Sequence, residues 1–337
     1  MPNKFYITTS IAYVNAAPHI GFALELCQAD AIARYQKING ADVFFLTGTD
    51  EHGTKVQQKA DELGVSPQEL ADKNSQLFRD LALRLNISND DFIRTTFDFH
   101  MKAAQDFWRK LVANDDIYEK EYEGLYCVGC EAFMPEKDLV GGLCPIHKKK
   151  PDKLKEKNYF FRLSKYSEEI KKLILSDTLL IRPESRRNEF LSVLEDGLQD
   201  VSFSRPKKKL QWGVDVPDDP DQVMYVWCDA LTNYITALGT GEKFDKFWPP
   251  NIHLIGKDIL RFHAGIWIGM LLSAKIALPK AIFVHGFVTS DGQKMSKSLG
   301  NVVDPNVVMD EWGVEALRYY LLREIPTGDD GDFSPDR

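Results

Sequence analysis

The sequence predicts an α/β fold, with a doubly wound parallel sheet that is interrupted by a cysteine-containing insertion. Short apolar runs typical of buried strands alternate with amphipathic helical patterns up to about residue 112. This alternation indicates a parallel sheet covered by helices. It stops at Asp115 and resumes at Val223. Three cysteines and a histidine lie between these two points, so the interruption is expected to form a unit with its own chemistry.

Two polar motifs follow the first two predicted strands. The strand at residues 5–9 leads through a turn to His19 and Gly21, which begin a helix, and the strand at 43–47 continues into the polar string 48–53. Ligands of an open parallel sheet bind at the carboxyl ends of its strands. The free amides of a helix N-terminus attract phosphate. We therefore expect a phosphate site at His19 and Gly21.

Weaker patterns complete the first half and fill the interruption. The remaining predicted elements of the first half are helices at 54–63 and 66–85, a strand at 91–96 and a helix at 99–112. Within the interruption we predict a hairpin edge at 118–126. The aromatic run 159–161 and a helix at 166–175 are expected to form the insertion's own core.

The clustered cysteines predict a structural zinc site. Cys127 and Cys130 form one pair two residues apart, and Cys144 and His147 form a matching pair after residues 131–143. Two such pairs suit one tetrahedral Cys₃His zinc ion, and four protein ligands leave no open position for catalysis. The other two cysteines lack partners of this kind and are expected to be buried thiols.

Aromatic residues gather around the strands predicted after the interruption. These strands lie at 223–227 and 253–258, each followed by a helical pattern, at 229–238 and 259–272. Aromatic side chains in such positions are more often core than ligand contacts. Their proximity to strand ends nevertheless favours a small apolar amino-acid pocket, and the residues concerned are Trp227, Tyr234, Phe262 and Trp267.

Composition and charge narrow the class of protein. The chain has 337 residues, 44% of them hydrophobic, and a net charge of −8. It contains no apolar run that could span a membrane and starts without a signal-peptide core, so we expect a cytoplasmic protein with no membrane partner. The negative net charge argues against a protein that binds nucleic acid non-specifically over its whole surface. Local basic runs at 148–157 and 205–209 favour a contact with an RNA backbone.

The most specific string follows the predicted strand at 281–284. It reads Lys294-Met295-Ser296-Lys297-Ser298, and two lysines in a small hydroxyl-rich loop suit a polyphosphate whose charge moves during reaction. This string resembles the signature loop of the class I aminoacyl-tRNA synthetases. After the loop, Asp304 and Pro305 are expected to begin a helix, and a second helix is predicted at 314–324.

The whole chain resembles the methionyl-tRNA synthetase family of bacterial type, without its anticodon-binding helical bundle. The matching strings are 13–15 before His19, 47–53, 204–206, 225–230, 255–258 and 283–286. The resemblance implies a Rossmann-type catalytic domain in two halves, residues 1–114 and 223–290. A zinc-binding connective insertion at 115–222 separates the halves, and the signature-loop segment with the start of a stem-contact region follows at 291–337.

The resemblance also implies the reaction. Methionine and ATP, with Mg²⁺, would give methionyl-adenylate and pyrophosphate, and the methionyl group would then pass to the 3′ end of tRNA(Met). His19, Lys294 and Lys297 would be catalytic. The implied ATP-binding residues are His19, Gly21, Gly256, Asp258 and Lys297. The implied methionine-binding residues are Asp50, for the ammonium group, and Ile11, Trp227, Ala230, Leu231, Tyr234, Phe262 and His263.

Two departures from the family pattern leave alternatives open. Phe22 stands where the phosphate motif normally has a second histidine, and Leu231 stands where proline is usual. Loss of one preorganised donor costs on the order of 10²–10³-fold in rate. A synthetase-like protein that binds nucleotide or RNA without catalysis is therefore one alternative. A class I synthetase for valine or isoleucine is another, although the short insertion, Trp227 and Tyr234 argue against it. Without the anticodon bundle, tRNA recognition is expected to be weak.

Overall fold

The computed structural model describes residues 3–130, 132–290, 292–295 and 301–334. The strands are β1 Lys4–Thr9, β2 Ala12–Tyr13, β3 Asp42–Asp50, β4 Asp91–Arg94, β5 Ile117–Cys127, β6 Ala132–Met134, β7 Asp152–Phe161, β8 Leu180–Arg182, β9 Val201–Ser202, β10 Ser204–Pro206, β11 Asp215–Val216, β12 Asp219–Met224, β13 Ile252–Gly256, β14 Ala281–His285, β15 Val288–Ser290, β16 Gln293–Lys294 and β17 Gly331–Phe333.

The α-helices are α1 Ile20–Ile38, α2 Thr54–Leu63, α3 Pro67–Arg84, α4 Asp98–Ala113, α5 Ser167–Leu175, α6 Glu184–Glu195, α7 Val226–Ala230, α8 Asn233–Thr236, α9 Glu242–Phe247, α10 Ile268–Ser273, α11 Pro305–Trp312 and α12 Val314–Arg323. Shorter helical turns join some of these elements. Across the described ranges, no helix combines the length and the apolar character that a membrane crossing needs.

A parallel sheet forms the centre of the molecule and confirms the predicted fold class. Its strand order is β2-β3-β1-β13-β14-β8, and β4 pairs with β3. From β1 the chain proceeds to β3 and β4 on one side, whereas β13 and β14 continue on the other side. The direction of winding therefore reverses between β1 and β13, which pair in register from Ile7 opposite Ile252. Ligands of doubly wound sheets bind outside such a switch point.

Two helices begin with the capping residues that the sequence contains at these positions. Ser66 caps α3 through a capping box with Glu69, and Pro67 occupies the first turn. The Asp304 side chain accepts a hydrogen bond from Asn306 N at the start of α11, where proline again fills the first turn. These caps satisfy amides that lack partners inside the helix.

The predicted return to the main sheet at residue 223 is wrong. Val223 and Met224 are buried in a strand, but this strand is β12, which pairs antiparallel with β10 and β11 in a separate sheet. The next residues turn into α7, and the helix predicted at 229–238 is divided into α7 and α8. An apolar run signals a buried strand without showing which neighbours it pairs with. The neighbours β10 and β11 are too short to show a period of their own.

The aromatic run and the helix that were predicted to form the insertion's own core pack into the main core instead. Phe161, Tyr166 and Ile170 are buried in the same apolar cluster as Trp108 and Trp267 of the main domain. Strand β8, which precedes residue 222, pairs with β14 and so belongs to the parallel sheet. The division at residues 114, 222 and 290 stays a prediction.

Phe22 belongs to a second apolar cluster that connects α1 with α3 and the C-terminal segment. Its side chain is 7% exposed and meets the Phe78 ring edge-on at a centroid distance of 5.0 Å. Leu317 and Phe333 of the C-terminal segment are buried in the same cluster, and Met295 of the signature loop packs against it. Where the sequence suggested only a missing donor, the structure therefore shows an apolar contact that supports the neighbouring segment.

We predict that Phe22→Ala lowers the free energy of unfolding by about 3–5 kcal/mol, the usual effect of removing a buried phenyl ring. The matched control is Tyr35→Ala on the same helix, because the Tyr35 side chain is 63% exposed. The measurement is urea unfolding followed by circular dichroism. Equal losses in the two variants would show that Phe22 is not a core residue.

Candidate active site at the switch point of the sheet

His19 caps the helix that begins beside the switch point. Its Nδ1 accepts a hydrogen bond from Gly21 N at 3.1 Å. In the neutral ring this acceptor role leaves the proton on Nε2, which makes Nε2 the donor toward a ligand. A Cβ on Gly21 would lie 2.9 Å from His19 Cε1, so a larger residue would displace the ring. The predicted pair thus forms one unit at the helix N-terminus, where amides favour phosphate.

Gly256 and Asp258 lie on the other side of the switch point. Gly256 ends β13, and a Cβ on it would lie 3.0 Å from Asp258 Oδ1 and 3.7 Å from His285 Cε1. Asp258 itself is exposed. A side chain at position 256 would therefore crowd Asp258, whose accessible carboxylate could accept hydrogen bonds from hydroxyl groups. His19 and Gly21 are thus placed on one side of the crevice, and Gly256 and Asp258 on the other.

Four of the predicted methionine-binding side chains contact one another. The rings of Trp227 and Phe262 stack with a centroid distance of 4.0 Å and an interplanar angle of 2°. The His263 ring stands perpendicular to Trp227 at 6.1 Å, and the hydroxyl group of Tyr234 lies 2.8 Å from His263 Nε2. Ala230 and Leu231 are buried at 3% and 1% exposure, and Ile11 packs against the same apolar core as Leu231.

Burial and hydrogen bonds together determine the charge and the tautomer of His263. Its Nδ1 lies 3.0 Å from the carbonyl oxygen of Ile259 and must donate to it. Burial lowers the pKa of His263 to about 4, although the Ile259 contact acts in the opposite direction. The ring is therefore neutral at pH 7, and its Nε2 accepts from the Tyr234 hydroxyl. Both donors of this pair are therefore used inside the protein, and neither is left for a ligand, which favours an apolar one.

His253, which the sequence did not identify as part of the site, forms a buried layer beneath Tyr234 together with Trp267. The Tyr234 ring lies 4.2 Å from the ring of His253, centroid to centroid. Trp267 Nε1 donates to His253 Nε2 at 3.2 Å, so His253 Nδ1 must donate to Thr8 Oγ1 at 2.7 Å. Burial lowers the pKa of His253 well below its usual value. Trp267, one of the four predicted aromatic residues, is fully buried and belongs to the core.

Asp50 lies at the carboxyl end of β3, buried to 3% exposure. Burial raises the pKa of Tyr234, and the negative charges of Glu25 and Asp50 raise it further. The carboxylate of Asp50 is therefore close enough to the aromatic group to act on it electrostatically. This placement suits the predicted contact with an ammonium group.

A buried carboxylate with two histidines connects the polar string after β3 to the helix that carries Trp227. Asp229 accepts from His52 Nδ1 at 2.7 Å and from His100 Nε2 at 2.9 Å. Burial alone would raise the pKa of Asp229, but the two histidines lower it to about 2. Trp212 also packs against the His52 ring at 5.3 Å. No local pattern predicts this group, since His52 and Asp229 are 177 positions apart.

The predicted lysines are not tested by the structure. Lys297 lies outside the described residues, and only the backbone of Lys294 is described, in β16. The strand β16 pairs with β15, and β15 follows β14, the neighbour of β13, after Gly286 and Phe287. The roles of Lys294 and Lys297 stay predictions.

The four predicted metal ligands come together in one cluster. One ligand atom from each of Cys127, Cys130, Cys144 and His147 lies within 4.8 Å of every other. Cys130 Sγ is 3.6 Å from Cys144 Sγ and 3.4 Å from His147 Nδ1. In a tetrahedral zinc site neighbouring ligand atoms are about 3.5–3.8 Å apart, as follows from its bond lengths. A Cβ on Gly129 would lie 2.4 Å from His147 Cγ, so glycine is needed between the first two cysteines.

The basic runs are partly neutralised by acidic neighbours. Lys153 pairs with Glu123 at 2.7 Å, and Lys157 pairs with Glu119 at the same distance. In the second run Lys209 binds the buried Glu156 at 2.9 Å. These pairs reduce the local positive charge, and a contact with an RNA backbone stays a prediction.

We predict that Asp229→Asn lowers the free energy of unfolding by about 3–5 kcal/mol, because one histidine then faces an amide N–H instead of an acceptor. In the wild type the contribution of Asp229 is fully present above about pH 4 and is lost as the pH falls toward about 2, since the folded-state pKa lies below the unfolded one. The variant should lack this loss. Denaturant unfolding between pH 2 and 7 measures both effects, with the exposed Asp221→Asn as control. Acid-unfolding curves of the same shape would contradict the assignment.

Comparisons with known proteins agree with this geometry. A family model described as tRNA synthetases class I (M) matches residues 5–153 and 137–337. The methionine–tRNA ligase of Thermotoga maritima is 50% identical over 99% of this chain, which covers 54% of that protein, and that of Brucella suis is 49% identical over 98% of the chain and 65% of the protein. This chain therefore spans about half to two thirds of the length of these relatives.

Solved structures give the same result. Mycobacterium tuberculosis methionyl-tRNA synthetase in complex with methionyl-adenylate is 47% identical, with a TM-score of 0.95 over 99% of this chain and 67% of that chain. The apo form of that enzyme is 42% identical, with a TM-score of 0.84 over 100% of this chain and 64% of that chain. The chain therefore belongs to the class I tRNA synthetases, and within them to the methionyl-tRNA synthetase family.

Proposed function

We propose that this chain activates L-methionine with ATP, forming methionyl-adenylate and pyrophosphate, and then transfers the methionyl group to the 3′ end of tRNA(Met). The proposal is supported by two groups of contacts. His19 and Gly21 form a helix N-terminus that would bind phosphate, and Trp227, Tyr234, Phe262 and His263 form an aromatic group that would receive the amino acid. Further support is the TM-score of 0.95 with a relative in complex with methionyl-adenylate.

In the proposed activation step, a carboxylate oxygen of methionine attacks the α-phosphorus of ATP, and the bond from that phosphorus to the pyrophosphate oxygen breaks. The attack needs alignment and charge stabilisation rather than a side-chain nucleophile. His19 Nε2 and the amides at the start of α1 donate to phosphate oxygens. Lys294 and Lys297 hold the triphosphate and stabilise the leaving pyrophosphate. Gly256 and Asp258 bind the nucleoside part of ATP.

Methionine is selected by an ammonium contact and an apolar pocket. The buried carboxylate of Asp50 receives the ammonium group. Trp227, Tyr234 and Phe262 receive the thioether, with Ile11, Ala230, Leu231 and His263 completing the lining. Each sulfur–aromatic contact contributes about 0.3–1.5 kcal/mol. Because the Tyr234 hydroxyl donates to His263 and the His263 N–H donates to Ile259, this pair offers no free hydrogen-bond donor to a polar side chain.

Phe22 is compatible with a catalyst. Its ring is buried against Phe78 in the cluster to which Met295 also belongs. We propose that it supports the signature loop, and that Lys294 and Lys297 provide the charge stabilisation that a second histidine would add. A synthetase-like protein that binds nucleotide without catalysis remains the second candidate, because Phe22 cannot donate a hydrogen bond.

The metal cluster is proposed to hold one structural Zn²⁺. Three thiolates and one imidazole are the donor set that zinc prefers, and their spacing in the structure suits a tetrahedron. Bound there, zinc stabilises the fold of the connective insertion. Magnesium is proposed to enter with ATP as its counter-ion. We also propose the division at residues 114, 222 and 290, a cytoplasmic location, and weak binding of tRNA(Met) by these residues alone.

We predict methionine-dependent exchange of pyrophosphate into ATP by the purified protein with Mg²⁺. Lys297→Ala should lose on the order of 10²–10³-fold in exchange rate, because it removes a charge that stabilises the transition state. Lys172→Ala, an exposed lysine on α5, should retain wild-type exchange. Exchange with valine instead of methionine would favour the alternative substrate class. ATP binding without exchange for any amino acid would favour the non-catalytic alternative.

For the metal we predict about one zinc ion per freshly purified chain, measured by mass spectrometry of the metal content. Cys144→Ser should reduce the zinc content well below one and expose residues 127–147 to proteolysis, because a four-ligand site loses a thiolate. Cys27→Ala, a buried cysteine of α1, should keep its zinc. A wild-type protein with much less than one zinc per chain would contradict the assignment.

A further inference from the structure

His285 is a buried histidine at the switch point that has no role in the mechanism above. It ends β14 opposite Gly256, the last residue of β13, and its side chain is 5% exposed. A Cβ placed on Gly256 would lie 3.7–3.8 Å from the ring. The ring therefore lies next to the backbone that is proposed to receive the nucleoside part of ATP.

Both ring nitrogens of His285 face acceptors. Nδ1 lies 2.7 Å from the carbonyl oxygen of Gly286, and Nε2 lies 2.9 Å from Glu25 Oε2. A neutral imidazole has one N–H and can satisfy only one of these contacts, whereas an imidazolium satisfies both. The Glu25 carboxylate also accepts from the backbone N–H and the hydroxyl of Ser10, at 2.6 and 2.7 Å. Three hydrogen-bond donors, two from Ser10 and one from His285, therefore meet at the Glu25 carboxylate.

The surrounding charges favour the same protonation state. Burial lowers the pKa of His285, but Glu25, the Gly286 carbonyl and the more distant Asp258 together raise it above its usual value. Beyond Gly286, Asp330 forms an ion pair with Lys257 at 2.7 Å and accepts from Phe287 N, so this pair adds no net charge. Glu25 from α1 and Asp258 after β13 are thus the unneutralised acids facing the ring in the part of the chain that the structure describes.

The contacts of Glu25 and His285 connect the elements around the proposed ATP site. Glu25 lies four residues after Gly21, one turn further along α1. Ser10 directly follows β1 and precedes the segment that leads to His19. His285 ends the strand that runs on through Gly286 into β15 and the signature loop. One buried ion pair therefore holds the end of β1, the first turns of α1 and the end of β14 at fixed separations.

We propose that His285 is a positioning residue for ATP, an imidazolium that holds Glu25 and, through Glu25, Ser10 in the geometry that the nucleotide requires. The proposal rests on the proposed activation of methionine. A deprotonated ring loses its donor to either Glu25 or Gly286, so the ATP site should become misaligned as the pH rises through the folded-state pKa of His285. Below that pKa the geometry is retained.

The direct test is ¹⁵N nuclear magnetic resonance of the histidine rings, with the His285 signals assigned by their absence in His285→Gln. We expect both ring nitrogens of His285 to carry protons at pH 7.5 in the wild type, and only one in Glu25→Gln, where the counter-charge is gone. This readout needs no catalysis, so it stands even if the proposed reaction fails. A singly protonated wild-type ring at pH 7.5, with Glu25 carrying the proton instead, would overturn the proposal.

The functional test is methionine-dependent ATP–pyrophosphate exchange between pH 6 and 9.5. We expect His285→Gln and Glu25→Gln to raise the KM for ATP about tenfold, with the KM for methionine changed less than threefold. Both should also lose the alkaline rise in the KM for ATP that the wild type shows. Glu156→Gln, a buried glutamate of β7 outside the site, is the matched control and should behave like the wild type.

Circular dichroism and melting temperature establish that each variant is folded. If His285→Gln does not fold, the test is made with Glu25→Gln alone. Equal increases in both KM values, or pH profiles that superimpose on the wild type, would overturn the positioning role. If the wild type shows no exchange, the proposed function fails instead. Equilibrium dialysis of ATP against wild type and His285→Gln then decides the inference, with about tenfold weaker binding by the variant expected and equal binding overturning it.

Discussion

The parallel pairing of β1 with β13 is the constraint on which the rest of the structure depends. These strands come from opposite halves of the chain, with Ile7 opposite Ile252, and the winding of the sheet reverses between them. Each half delivers its polar residues to the carboxyl end of its own strands. The pairing therefore brings His19 and Gly21 of the first half to the same edge of the sheet as Gly256 and Asp258 of the second half, although more than 230 positions separate them in the sequence.

Buried charges then hold the elements at this edge in place. Asp229 with His52 and His100 joins the end of β3 and helix α4 to the helix that carries Trp227. Glu25 with His285 joins α1 and β1 to the end of β14. A buried charge without a partner costs several kcal/mol, so each group keeps the separate segments together. Neither group is proposed to contact methionine or ATP directly. Their role is to hold the residues that do, which suits a reaction that depends on the alignment of its substrates.

The sequence predicted the features that depend on local signals. The doubly wound sheet followed from the strand and helix periods, and the grouping of Cys127, Cys130, Cys144 and His147 followed from their spacing. Contacts between distant residues left no such trace. Glu25 and His285 are 260 positions apart. The separate sheet that contains β12 is formed with β10 and β11, which are too short to be recognised as strands from their sequence. Phe22 was interpreted as a lost donor, because only the structure shows the apolar cluster around it.

The most direct measurement is a crystal structure of this protein with methionine and a non-hydrolysable ATP analogue. We predict the triphosphate at the N-terminus of α1 beside His19 and the nucleoside between Gly21 and Gly256. The methionine thioether should lie against Trp227 and Tyr234, with the ammonium group at Asp50. Nucleotide or methionine bound away from the carboxyl ends of β1 and β13 would contradict it.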